Sequence, residues 1–158
     1  MLNIYNVGPL FTEAEAKQRH YEGNKLKDLL ENNHVEYTLS NPIDMPTSNQ
    51  LDVTSSEIAA ADYERLSSAD VVFLDLSNED SGSCVALGIT MEKYLQGKPI
   101  EFYPVFYDIR LARNGQSGLE SSCGFNSMVV GILKSNNITI YSSFEDAFSA
   151  FKKKHNYK

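Results

Sequence analysis

Five short apolar runs punctuate the chain, at residues 3–7, 35–39, 71–76, 100–107 and 138–141. Turn-forming residues bound them, which is the signature of strands. The run Val71-Val72-Phe73-Leu74-Asp75-Leu76 is nearly continuous, as expected of a strand covered on both faces. Between the runs the apolar spacing changes to three and four, the helical period. Leu26, Leu29 and Leu30 give a first helix its inner face. Ile58, Asp62 and Leu66, with Ala59 and Tyr63 beside them, mark a second over 55–68. Leu87, Met91, Tyr94 and Leu95 mark a third over 83–96. A short helix is predicted over 126–134, and a last one turns Ala147, Phe148 and Phe151 inward. Thr12 with Glu15 reads as a capping box, and Asn32-Asn33 as a stop. Ser81 or Ser83 caps the third helix, Gly97 ends it, and Ser142 or Ser143 caps the last. Pro104 is expected to break or bend the fourth strand.

Strand and helix alternate five times. That predicts an α/β fold, a flavodoxin-like three-layer sandwich with a five-stranded parallel sheet and helices on both faces. At 158 residues the chain reads as a single domain, 1–158. Two long polar stretches interrupt it. Residues 40–54 contain Pro42 and Pro46 and read as a lid or surface loop. Residues 108–124 carry Arg110, Arg113, Gly115 and Gly118.

Composition narrows the partners. With 21 acidic against 14 basic residues the formal charge is −7, which disfavours nucleic acid and anionic membranes. Lys152 to Lys154 sit where cations suit a helix end, so the run reads as a solvated tail. Only two cysteines occur, Cys84 and Cys123, and no Cys-x-x-Cys pair, so neither a disulfide framework nor structural zinc is expected. With no leader and no long apolar run, the expected place is the cytoplasm.

In a sheet of this kind, ligands bind where strand ends meet helix starts. The first strand delivers Tyr5, Gly8, Pro9 and Phe11 there. The third delivers Asp75, Asn78, Glu79 and Asp80, and Asp62 occupies a face that ought to be buried, where an aspartate needs a partner or a purpose. The pocket would be acidic and partly aromatic. Neither Gly-x-Gly-x-x-Gly nor Gly-x-x-x-x-Gly-Lys-Ser/Thr occurs, so an uncharged polar ligand such as a sugar or nucleoside fits better than a phosphate. Plainer roles exist for each residue: Tyr5 in the core, Phe11 as a staple, Asp80 at a helix dipole, Asp62 turned to solvent, Cys84 as a small apolar residue. His20, His34 and His155 lie in a helix, at a helix end and in the tail, and none reads as a general base. No cofactor is expected, and carboxylates alone argue no metal.

Tyr5, Gly8-Pro9-Leu10-Phe11, Asp62, Asp70 and the run Asp80-Ser81-Gly82-Ser83-Cys84-Val85-Ala86-Leu87-Gly88 occur in that order. Gly97-Lys98, Gly124-Phe125-Asn126-Ser127-Met128 and Ser143-Phe144-Glu145-Asp146-Ala147-Phe148 follow. This series, covering most of the chain, resembles the nucleoside 2-deoxyribosyltransferases. The resemblance implies retaining exchange of the base of a 2′-deoxynucleoside for a free purine or pyrimidine, through a covalent deoxyribosyl-carboxylate. It implies that Asp80 holds deoxyribose hydroxyls, Tyr5 orients the nucleophile, and Asp62 contacts the base or assists its protonation. Gly8, Pro9 and Phe11 would line the base pocket beside Gly82. Asn126 and Met128 would enter a neighbouring subunit's site, so the protein would be a homo-oligomer, at least a dimer.

The chain departs from the family at one place. The family motif is Gly-x-x-x-Glu-Leu-Gly with the glutamate as nucleophile, and here Ala86 stands at that position. An engineered Glu→Ala change that traps a substrate complex would explain it, as would a naturally inactive or repurposed homologue, and alanine is in any case a good helix former. Either way the chain should bind nucleosides and exchange bases poorly. The alternatives are a 2′-deoxynucleoside 5′-monophosphate N-glycosidase and a non-catalytic nucleoside-binding module. The first lacks support because residues 8–15 are acidic and carry no arginine. A response-regulator-like phosphoacceptor at Asp75 lacks the acidic pair and the lysine it needs.

Overall fold

A computed structural model of the chain describes residues 1–45, 52–107 and 125–158. Four parallel strands, β1 (Leu2–Val7), β2 (Tyr37–Ser40), β3 (Val71–Asp75) and β4 (Glu101–Val105), lie in the order β2-β1-β3-β4. Tyr5 pairs with Ser40 on one side and Val72 on the other. The chain leaves β1 and β3 towards opposite edges, which opens a crevice at their carboxyl ends. The helices are α1 (Glu13–Asn32), α2 (Ser55–Ser68), α3 (Ser81–Leu95), α4 (Ser127–Ser135) and α5 (Phe144–His155). A 3-10 turn, Pro42–Asp44, follows β2.

Strand alternation sorts the apolar residues into two cores. Tyr5, Val7, Val72, Leu74, Leu76 and Phe102 pack with Leu66 of α2, Ala86, Leu87 and Met91 of α3, and Val130 and Leu133 of α4. On the other face Ile4, Val71, Phe73, Tyr103 and Val105 meet Leu26, Leu29 and Leu30 of α1 and Phe144, Ala147 and Phe151 of α5. The second core is aromatic: Phe73 stacks on Tyr103 at 4.8 Å and meets Phe151 edge-on at 5.5 Å.

The helix stops and starts mostly follow the sequence signals. Thr12 with Glu15, and Thr54 with Glu57, form full capping boxes, and Ser143 caps α5. Gly97 follows α3 with φ +99°. The cap of α3 differs from expectation. Asp80 takes it, accepting from the Ser83 amide at 2.8 Å and the Ser83 hydroxyl at 3.0 Å. A carboxylate suits the positive helix end better than either serine. Leu95 and Ile58 are exposed, although their spacing placed them inward.

The fifth strand is reduced to one bridge, Tyr141 to Val105. Pro104 supplies the reason. It does not break β4, where it pairs with Leu74. Its carbonyl accepts from the Tyr141 amide at 2.9 Å, and the Phe106 amide donates to Tyr141 at 3.0 Å. The N–H that Pro104 lacks would point to this same outer edge. The bond that would carry the ladder back past Tyr141 has no donor.

Candidate functional site

At the crevice end of the first core, the Tyr5 hydroxyl donates to Asp62 Oδ1 at 2.9 Å. Tyr5 is only 3% exposed, while the Asp62 side chain is 34% exposed. The pair thus links a packed strand residue to a carboxylate at the surface. Burial, and then the Asp62 charge, holds the Tyr5 hydroxyl above the usual phenol range, so it stays a donor at neutral pH. Arg65 Nη1 lies 3.5 Å from the same Asp62 oxygen and makes no hydrogen bond among the described residues. Asp62 is therefore neither solvent-facing nor fully buried; Tyr5 hydrogen-bonds it and Arg65 forms an ion pair with it.

Ala86 is buried in the same apolar cluster as Tyr5. It lies in the second turn of α3, where its carbonyl also accepts from the Thr90 hydroxyl at 2.9 Å. Asp80 stands at the start of that helix, and Gly82 lies close over it: a Cβ at Gly82 would be 3.2 Å from Asp80 Oδ2. Phe11 is 80% exposed on the β1–α1 turn, and Val85 is exposed in the second turn of α3. Asn126 caps α4 through the Met128 amide, and its own amide donates to Glu79 across the crevice. Met128 is 72% exposed.

The other side of the same strand ends is built differently. Asp75 points away from Tyr5, to Arg19 of α1, at 2.8 Å. Arg19 is 1% exposed and also donates to Glu22 at 3.0 Å and to the Val7 carbonyl at 3.2 Å. Asn6 donates to both Glu22, at 3.1 Å, and Asn41, at 3.2 Å. Asn41 in turn donates to the Arg19 carbonyl at 3.0 Å and to Asp44 at 2.7 Å. Burial raises the Glu22 carboxyl above the ordinary range, and the Arg19 charge pulls the other way.

The sequence reading missed Arg19 and Glu22 and placed Asp75 in the crevice with Tyr5. A signal existed. Counting back from Leu30 and Leu26 in steps of three and four reaches Gly23, Glu22 and Arg19 on the same helix face. Gly8 also gains a structural reason: a Cβ there would lie 1.8 Å from Arg19 Nη1.

No family model matches the sequence, and no curated protein does. Solved structures do. A conserved protein from Enterococcus faecalis V583 matches at 25% identity and a TM-score of 0.74, over 98% of this chain and 99% of that one. A 2-desoxiribosyltransferase from Leishmania mexicana matches at 20% identity and a TM-score of 0.61, again over 98% and 99% of the two chains. This chain has the fold of a 2-deoxyribosyltransferase. A further 2-deoxyribosyltransferase, from Bacillus psychrosaccharolyticus, overlaps more loosely, at 19% identity and a TM-score of 0.46 over 90% and 88% of the two chains.

Within that fold, Tyr5, Asp62, Ala86 and Asp80 lie on the side of α2 and α3, and Arg19, Glu22 and Asp75 on the side of α1. A cavity of about 440 Å³ opens on the α1 side, against Glu22, Asp75, Tyr107 and Phe144, and does not reach Tyr5, Asp62 or Ala86. Among the described residues no group of carboxylates, histidines and cysteines could hold a metal ion, and no helix is long and apolar enough to cross a membrane. Cys123, Gly124, Pro46, Arg110, Arg113, Gly115 and Gly118 lie outside the described residues.

Proposed function

We propose that this chain is a nucleoside 2-deoxyribosyltransferase homologue that binds 2′-deoxynucleosides and free bases but lacks the carboxylate nucleophile. The observation that carries the reading is the Tyr5–Asp62 hydrogen bond, set into the packed cluster that contains Ala86. A phenol that stays a donor, a carboxylate about a third exposed and the Arg65 guanidinium paired with it make a polar edge on a packed apolar cluster. That is the usual make-up of a small-molecule site.

In the full reaction a carboxylate oxygen at position 86 would bond to C1′ of the deoxyribose as the C1′–N bond breaks. The electron pair would leave on the base nitrogen, with Asp62 contacting the base or assisting its protonation. A second base, giving up its ring N–H proton, would then attack C1′, form a new C1′–N bond and release the carboxylate. Tyr5 would orient that carboxylate. Asp80 Oδ2 is taken by Ser83, which leaves Oδ1 for a sugar hydroxyl. With a methyl group at position 86 the first bond cannot form, so exchange falls by orders of magnitude while binding remains. Asn126 and Met128 would complete a neighbour's pocket in a homo-oligomer; the exposed Met128 is free to do so. The buried Ala86 equally favours a second reading, a nucleoside-binding module without catalysis.

Calorimetric titration with 2′-deoxyadenosine tests the proposal. The chain should bind it, Asp62→Ala should bind at least tenfold more weakly, and thymidine 5′-monophosphate should bind worse than thymidine. No heat with any nucleoside would refute both readings.

A further inference from the structure

We propose that Arg19 is a positioning residue for the crevice: from inside the fold it holds the β1–α1 turn and the β3–α3 turn at one spacing. This rests on the reading above only for what the crevice binds. The two turns carry Gly8, Pro9 and Phe11 on one side and Asn78, Glu79 and Asp80 on the other, and no strand ladder joins them.

Two links do. The exposed link is Glu15, whose Oε2 accepts from the Phe11 and Thr12 amides at 3.0 and 2.8 Å while Oε1 accepts from the Asn78 side chain at 3.2 Å. Water competes for such bonds, so this link alone is weak. The buried link is Arg19. Nη1 donates to the carbonyl of Val7, the last residue of β1, and Nη2 donates to Asp75, the last residue of β3. Asp75 Oδ1 then accepts from the Ser77 amide at 3.1 Å, and the Ser77 hydroxyl accepts from the Tyr107 amide at 2.8 Å. One guanidinium thereby fixes where β1 and β3 end and passes the constraint to the chain after β4.

The fit depends on the fork. Two nitrogens of one plane reach two strands, which a lysine's single ammonium cannot do from the same place. Gly8 leaves no room for a side chain beside Nη1, so the guanidinium lies directly against the turn's backbone. Glu22 balances the remaining charge and is itself fixed by Asn6 and Gln18. A salt bridge needed only for stability would not have to end on a strand-terminal carbonyl and a strand-terminal carboxylate at once.

Arg19→Lys keeps the charge and loses the fork, so it is the variant to test in the full chain. Three quantities are read: the urea midpoint, amide hydrogen exchange by residue, and the dissociation constant for 2′-deoxyadenosine. The expected result is a folded protein in which amides at 8, 10–12 and 77–80 exchange at least tenfold faster. Tyr5 and Phe73 amides should keep their rates, and nucleoside affinity should fall tenfold or more. Unchanged exchange at both turns would overturn the inference, and so would looser turns with unchanged affinity. Looser turns in a protein whose parent binds no nucleoside would leave the positioning intact and remove the ligand reading instead. If Arg19→Lys does not fold, Asp75→Asn, which keeps the Arg19–Glu22 pair, is judged by the same criteria.

Discussion

The carboxyl ends of β1 and β3 carry polar groups on both faces of the sheet, and the two faces treat them in opposite ways. Beneath α1, Asn6, Arg19, Glu22 and Asn41 are almost wholly enclosed, and each side chain meets two or more partners. Beneath α2 and α3, Tyr5 and Asp62 share one hydrogen bond inside an apolar cluster, and Asp62 stays a third exposed. The enclosed groups form a connected network in which only Arg19 Nε, among the described residues, lacks a partner, and such networks specify a structure. Polar groups that stay partly exposed at the edge of an apolar cluster are open to a ligand. The comparison teaches that charge alone does not separate the two faces in this acidic chain, and that the degree of enclosure does.

The sharpest way to break the comparison is to remove a polar group from each side. Arg19→Met leaves Glu22 and Asp75 uncompensated and should cost about 3–5 kcal/mol in urea unfolding. If it costs no more than a surface change, the network is not structural. Next in size is Gly8→Ala, whose new methyl meets the guanidinium; overpacking of this kind costs about 1–3 kcal/mol. The same substitution at Gly88, a helical position with nothing within 4 Å of a Cβ, should instead raise stability by about 0.5–1 kcal/mol. Thermal melts of the two variants settle the contrast. On the ligand side, Tyr5→Phe should lower stability by less than about 1 kcal/mol, because water can replace the lost donor at Asp62. A loss as large as that of Arg19→Met would make Tyr5–Asp62 a structural pair as well.

The smallest effect concerns pH. Glu22 has a folded pKa above its unfolded value, so the folded state binds the extra proton. Its contribution to stability is present below the ordinary glutamate range and is lost as pH rises through the raised value. Glu22→Gln should flatten that part of the stability curve; an unchanged slope would assign it to other groups.

Much of the fold was legible because strand and helix periods, capping boxes and turn residues agreed with one another. The helix over residues 55–68 was legible from the spacing of Ile58, Asp62 and Leu66, and the Thr54–Glu57 capping box that starts it was not read. The fifth strand was overcounted because its residues are good strand formers, while the obstacle, a missing N–H at Pro104, lies on the neighbouring strand. Tyr5 and Asp62 were singled out from position and polarity, and the structure joins them by a hydrogen bond. Arg19 and Glu22 were not, because a charged i, i+3 pair reads as solvated helix surface unless the apolar stripe is followed into it. The phosphoacceptor alternative for Asp75 loses its basis from the same contact, since Arg19 and the Ser77 amide already hold that carboxylate.

The central claim is that Ala86 marks a missing nucleophile in an otherwise formed nucleoside site. The most direct test compares this chain with Ala86→Glu, each given 2′-deoxyinosine and free adenine and followed by chromatography for 2′-deoxyadenosine. The account predicts product from the glutamate form and at most a trace from the parent. Nucleoside binding by both, with product from neither, would contradict it and leave a binding module.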